Sequence, residues 1–141
     1  MKQILFSLLI IPFAFSCDGG NINNNNPNIP NFPVNLQINL NLPANSNLQF
    51  PGNRIIDFSQ GARGIVVFNT GSGFVAYDLA CPNIAFDLCT TPMTIPPGAI
   101  DANCSCDDTV YSLYSGQSAG QPYPMRQYRV ILNGTVLSVT N

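Results

Sequence analysis

The stretch "VNLQINLNL", residues 34 to 42, alternates apolar and amide side chains without a break. Val34, Leu36, Ile38, Leu40 and Leu42 fall on one side, Asn35, Gln37, Asn39 and Asn41 on the other. A period of two gives one dry and one wet face only on an extended strand. Pro43 ends the run. Other segments agree. "GIVVF" (64–68) is apolar and β-branched. "NTGSG" (69–73) reads as a hairpin turn, with Gly71 and Gly73 free to take positive φ, and the chain returns over 74–79. Short strands are expected at 93–95, 100–103 and 110–114. In "QYRVILNGTVLSV" (127–139) two β-branched runs flank Asn133-Gly134, a type I′ signature. There is no helical period. Twelve prolines and eleven glycines, spread through 141 residues, fit one small all-β domain of short antiparallel strands and long loops.

The charged residues narrow the chemistry. The chain has no His and no Glu, and its one Lys is Lys2. From Cys17 onward four Arg face seven Asp. That balance, with no basic cluster, argues against nucleic-acid binding, which requires neutralised phosphates. Three of the four commonest acid–base side chains are missing from the chain beyond its leader. A Ser-His-Asp triad is impossible, as is a zinc site that uses His.

The N-terminus, "MKQILFSLLIIPFAFSC", has a positive end at Lys2 and an apolar stretch over 4–15, too short to span a bilayer that takes about 20 residues. It reads as a signal peptide over 1–16. The sequence Ala14-Phe15-Ser16-Cys17 resembles a bacterial lipobox, with Ala14 where Leu is more usual. The resemblance implies cleavage before Cys17, acylation of that cysteine (palmitate included), and membrane anchoring in a bacterial cell envelope. Cys17 is also the odd one of five cysteines. Residues 17–33, rich in Asn, Gly and Pro, read as a flexible tether, and 34–141 as the folded domain.

Four cysteines remain: Cys81, Cys89, Cys104 and Cys106. Export permits disulfides, and four cysteines allow three connectivities that spacing alone cannot choose between. Cys104 and Cys106 are too close to bond easily to each other, so each is expected to reach back to Cys81 or Cys89.

The segments "ACPNIAFDLC" and "CSCDDTVY" together resemble the two cluster loops of Rieske iron–sulfur domains, which read Cys-x-His and Cys-x-Cys-His-Gly-Ser-x-Tyr. The resemblance extends over roughly residues 63–139, through "VVFNTGSGFVAYDLACPN" and "YSLYSGQSAGQPYPMRQYRVILNGTVLSV". It places Cys81 and Cys104 on the two cluster-ligand cysteines, and Cys89 and Cys106 on the pair that forms a disulfide in many members. Thr109 takes the loop serine's place, and Tyr111 that of the tyrosine that hydrogen-bonds a ligand sulfur. Both histidine positions are changed: Asn83 stands at the first and Asp107 at the second, with Asp108 at the loop glycine. A Rieske cluster takes two cysteines on one iron and two histidines on the other. An amide at Asn83 is a very poor iron ligand. The resemblance therefore implies a Rieske-like β domain without its cluster, closed by disulfides Cys81–Cys104 and Cys89–Cys106. The expected role is that of a non-enzymatic envelope lipoprotein, structural or interacting, without cofactor or metal and with a protein partner the sequence does not name. The alternative is an electron carrier holding a [2Fe–2S] cluster on altered ligands.

Other features have plainer readings. Asp107 and Asp108, or the isolated Asp87 and Asp101, suggest a carboxylate or calcium site, but calcium takes six or more oxygens. "DTV" (108–110) resembles an O-glycosylation signal of some Bacteroidetes, and "NGT" (133–135) is a sequon better read as a turn. Tyr111, Tyr114, Tyr123 and Tyr128 are expected mostly to pack loops onto sheets.

Overall fold

The structure, a computed structural model, describes Ile22 and residues 24–141. The expected signal peptide (1–16) and Cys17 lie outside the described residues. Among the described residues no helix is long and apolar enough to cross a membrane.

The domain is built from eight strands: β1 (Asn35–Asn39), β2 (Arg54–Asp57), β3 (Ile65–Asn69), β4 (Phe74–Asp78), β5 (Asp101–Asn103), β6 (Val110–Ser112), β7 (Gln127–Asn133) and β8 (Val136–Thr140). Six form an antiparallel sheet in the order β1-β8-β7-β4-β3-β2, and β5 and β6 pair separately. The sheet is joined in its middle by only two residue pairs, Ala76–Tyr128 and Tyr77–Gln127, between β4 and β7. The expected all-β class, with small antiparallel sheets and a two-loop cysteine subdomain, is what the chain adopts.

The alternation in β1 works as its pattern predicts. Val34, Leu36, Ile38 and Leu40 are buried and Asn35 and Gln37 exposed. Leu42 does not join them: it is 52% exposed. The chain already turns here, with the Leu42 amide donating to Asn39 O at 3.2 Å, so the strand stops short of Pro43. Pro43 instead opens a 3-10 helix over Pro43–Gln49 that seats Leu48 in the core. The proline's missing donor costs nothing in a first helical turn.

β3 departs from alternation because both of its faces are covered. Ile65 and Val67 join one core with Leu36, Ile38, Leu137 and Val139. Val66 and Phe68 join a second core with Tyr77, Leu79, Tyr111, Leu113 and all four domain cysteines but the exposed Cys106. Continuous apolar runs mark strands buried on both sides.

Two local expectations need correction, and one strand had no expectation at all. The segment 93–95 is not a strand; Thr94 makes a single bridge to Asn103. β2 was not visible because its two isoleucines are adjacent, so no period of two appears. It pairs with β3 all the same, and Arg54 ties it to the loop beyond, donating to Ala99 O at 2.8 Å and Pro96 O at 2.6 Å. The final hairpin turns on Gly134-Thr135, because Asn133 pairs with Val136. Gly134 has φ 61 and Thr135 does not enter the left-handed region. A glycine at the first central position is the type II′ pattern, one residue on from the expected type I′. Gly134→Ala is expected to lower stability by about 1 kcal/mol, read as a shifted urea midpoint.

Residues 24–33, expected within the tether, lie on the domain. Polar asparagines here do the work of a strand edge. Asn24 exchanges two hydrogen bonds with the Gln127 backbone, and Asn26 and Asn28 both donate to Pro82 O at 2.9 Å. Ile29 is buried, and the buried Arg126 donates to Ile29 O at 3.1 Å and Asn31 Oδ1 at 2.7 Å.

Candidate functional site

The four domain cysteines converge at one end of the second core. Cys81 lies three residues past β4, and Cys104 directly follows β5. Cys81 bonds Cys104, with Cα atoms 5.5 Å apart, and Cys89 bonds Cys106, with Cα atoms 6.1 Å apart. Each disulfide therefore joins one loop to the other. Cys81, Cys89 and Cys104 are buried and Cys106 is exposed. The two disulfides lie against each other, Cys89 Sγ standing 3.5 Å from Cys81 Sγ.

Asn83 is the next element of the site. Its Nδ2 donates to Tyr111 Oη and to Tyr123 O, both at 2.8 Å, and its Oδ1 accepts from Tyr123 N at 3.1 Å. One amide thus fastens the first cysteine loop to β6 and, at Tyr123, to the loop between β6 and β7. Tyr111 Oη accepts from Asn83, in place of the sulfur contact that the resemblance implies. Asn83→Ala leaves those loop groups without partners and is expected to cost about 1–3 kcal/mol, with faster amide exchange at Tyr123.

The acidic pair behaves differently. Asp107 is exposed, and its Oδ1 accepts from Thr109 N at 3.0 Å, closing an Asx turn. Asp108 is exposed with φ 59, the left-handed conformation for which glycine is suited. Among the described residues, the one place where three or more His, Cys, Asp or Glu side chains converge is the cysteine cluster, so Asp87, Asp101, Asp107 and Asp108 are not brought together. Tyr114 is exposed and meets Phe68 edge to face, ring centroids 4.9 Å apart, whereas Tyr111 and Tyr128 are buried. A cleft of about 490 Å³ is lined by Phe74, Tyr77, Gln127 and Arg129, and none of the four cysteines contributes to it.

No protein-family model and no curated protein matches the chain. Solved structures of similar shape do exist. One is a protein assigned as the small subunit of an NADPH nitrite reductase, 16% identical, with 74% of this chain and 97% of that one aligned at a TM-score of 0.42. Another is the ferredoxin of carbazole 1,9a-dioxygenase from Nocardioides aromaticivorans IC177, 16% identical over 77% and 97%, TM-score 0.43. A third, assigned as the small subunit of an NADH-dependent nitrite reductase from Mycobacterium tuberculosis, is 13% identical over 79% and 97%, TM-score 0.45. At these values the likeness carries nothing about function.

Sequence reasoning missed Asp78, which organises the approach to the site. Its side chain is fully buried. Oδ1 accepts from Arg63 N at 3.1 Å and Ala80 N at 2.8 Å, and Oδ2 from Ala62 N at 2.5 Å and Tyr128 Oη at 2.7 Å. Arg63 continues the line, its guanidinium lying 3.8 Å over the Phe86 ring and donating to Phe86 O at 2.9 Å in the first cysteine loop. A lone acid within "FVAYDLA" was the available signal, since a carboxylate in an apolar strand is buried only when hydrogen-bonded.

The buried phenols give a pH dependence. Burial pushes Tyr77 up to about 12. Tyr128 is raised further, by burial first and then by the Asp78 carboxylate, and Tyr111 is raised by burial above all. In the unfolded chain these phenols ionise near pH 10. Above that pH the unfolded state holds fewer protons than the folded one, so stability falls as pH rises. It is expected to be intact below about pH 10 and to decline progressively through pH 12, with tyrosinate absorbance appearing together with loss of ellipticity.

Proposed function

We propose that this chain is an envelope lipoprotein whose Rieske-like domain has lost its cluster, has its two loops closed by disulfides and serves a structural or interaction role, without catalysing a reaction. The observation that carries the reading is what has become of the four former ligand positions. Cys81 and Cys104 are bonded to each other, Asn83 has its amide engaged by Tyr111 and Tyr123, and Asp107 is exposed and closes its own turn. That donor set does not fit a cluster needing two thiolates and two nitrogen ligands. The lipid anchor on Cys17, a bacterial envelope location and the absence of an enzymatic activity belong to this proposal, supported by the lipobox resemblance and the missing acid–base side chains.

Two measurements test it. Mass mapping of a non-reduced digest is expected to recover Cys81–Cys104 and Cys89–Cys106 from colourless protein. Labelled fatty acid fed to a bacterial host is expected to enter the chain, and not its Cys17→Ala variant. Brown protein with two irons per chain would replace this reading with the electron carrier.

A further inference from the structure

The four Sγ atoms of Cys81, Cys89, Cys104 and Cys106 all lie within 4.8 Å of one another. Two disulfides need no such closeness: pairs held in separate parts of the two loops would close them equally well. Four sulfurs around a single tetrahedral ion, at a metal–sulfur distance of about 2.3 Å, stand about 3.8 Å apart. The non-bonded pair Cys81 and Cys89 is already at 3.5 Å. A two-iron cluster divides its ligands between separate metal atoms and spreads them more widely than this set is spread.

We propose that the reduced chain is a binding site for one zinc-class divalent ion, held by all four thiolates. This set is distinct from the Cys81, Asn83, Cys104 and Asp107 positions weighed above, because it recruits both disulfide-forming pairs and no other residue. The chemistry balances in two stages. Each disulfide takes two electrons and two protons from a dithiol, which closes to its own cyclic disulfide, so two dithiols give four thiols. The ion then forms four metal–sulfur bonds and displaces the four thiol protons into solvent.

The surroundings suit this sequence of events. Cys106 is exposed, which gives a reductant its entry at Cys89–Cys106, while Cys81 and Cys104 are buried at 4% and 1% exposure. The backbone that carries the sulfurs is anchored independently of them. Cys104 N donates to Thr109 O at 2.9 Å, Cys89 N to Ala85 O at 3.2 Å, and Asn83 fixes the first loop from the side. The sulfurs need only part from bonding distance to about 3.8 Å, a movement side-chain rotation supplies. Asp107 and Asp108, next to Cys106, add like charge to the net −2 of a tetrathiolate ion, and because both are exposed that repulsion is screened by water and salt. The oxidised domain is thus closed by covalent bonds and the reduced one by a metal.

The inference rests on the pairing given under the proposed function, so digest mapping of the oxidised full chain comes first and fails separately. The chain is then reduced anaerobically with a dithiol, freed of it, and titrated with Co²⁺. The expected result is the intense visible absorption and thiolate-to-cobalt charge transfer of a tetrahedral tetrathiolate, saturating at one ion per chain and displaced by Zn²⁺. Tyrosine near-UV ellipticity is expected to be native in the loaded protein. Cys106→Ser is expected to alter the charge-transfer bands and weaken binding at least about tenfold. Absence of the tetrahedral spectrum overturns the proposal, as does saturation at another ratio. Binding equally tight in denaturant, or binding without the native tyrosine signal, overturns it too, since either marks chelation by an unfolded chain.

Discussion

Replacing Asp78 with alanine is expected to destabilise the domain by about 3–5 kcal/mol, measured as the loss of unfolding free energy in urea. The carboxylate accepts four hydrogen bonds, three from backbone amides of Ala62, Arg63 and Ala80 and one from Tyr128. Truncation strands those donors in a dry site, where an unmet group costs about 1–3 kcal/mol each before relaxation. The loop over 59–64 is closely seated here. A Cβ on Gly61, at φ 82, would lie 2.8 Å from Asp78 Oδ2. Asp78→Asn keeps the volume and one accepting oxygen but turns a donor either toward the Ala62 amide or toward the Arg63 and Ala80 amides. It is expected to lose less than alanine does. A change under 1 kcal/mol for the alanine variant would contradict this account.

The second large effect lies in the disulfides. The loop closed by Cys81–Cys104 spans 23 residues and that closed by Cys89–Cys106 spans 17. Chain entropy alone assigns each about 3 kcal/mol. The pair nearer the core is expected to matter more, because alanine at the buried Cys81 and Cys104 also leaves a cavity, whereas Cys106 faces solvent. The double variant Cys81→Ala/Cys104→Ala should therefore melt below Cys89→Ala/Cys106→Ala. Removing all four cysteines takes away about 6 kcal/mol by chain entropy alone, before any cavity, against the 5–15 kcal/mol that a domain of this kind has, and is expected to show the largest loss of melting temperature of the three variants. Equal melting temperatures for the two double variants would show that the buried bond contributes loop closure only.

How far the sequence reached can be seen residue by residue. β1 was legible because one of its faces is wet, and the last hairpin because its glycine has a distinctive use, although the turn sits one residue later than the pattern suggests. β3 was legible as a strand, but not the reason its apolar residues run together, since periodicity does not say that a second core covers the other face. The cysteine pairing came from the loop resemblance, and the structure has that pairing. Asn83 was read only as a lost ligand. Its positive role, fastening Tyr111 and Tyr123, depends on residues 28 and 40 positions away, and no local pattern encodes that. The asparagines at 24, 26 and 28 were read as spacer for the same reason. Their composition looks like low complexity, while their partners are Gln127 and Pro82.

β3 serves both cores, with Ile65 and Val67 on one side and Val66 and Phe68 on the other. A wall shared in this way couples the two cores, since neither can lose its strand without stripping the other, and a single melting transition is expected. The cysteine loops pack against Val66, Phe68 and Tyr77, so they are expected not to fold when cut away from the sheet. Loss of either disulfide is therefore expected to lower one shared melting transition, read alike by probes beside Val139 and beside Tyr111.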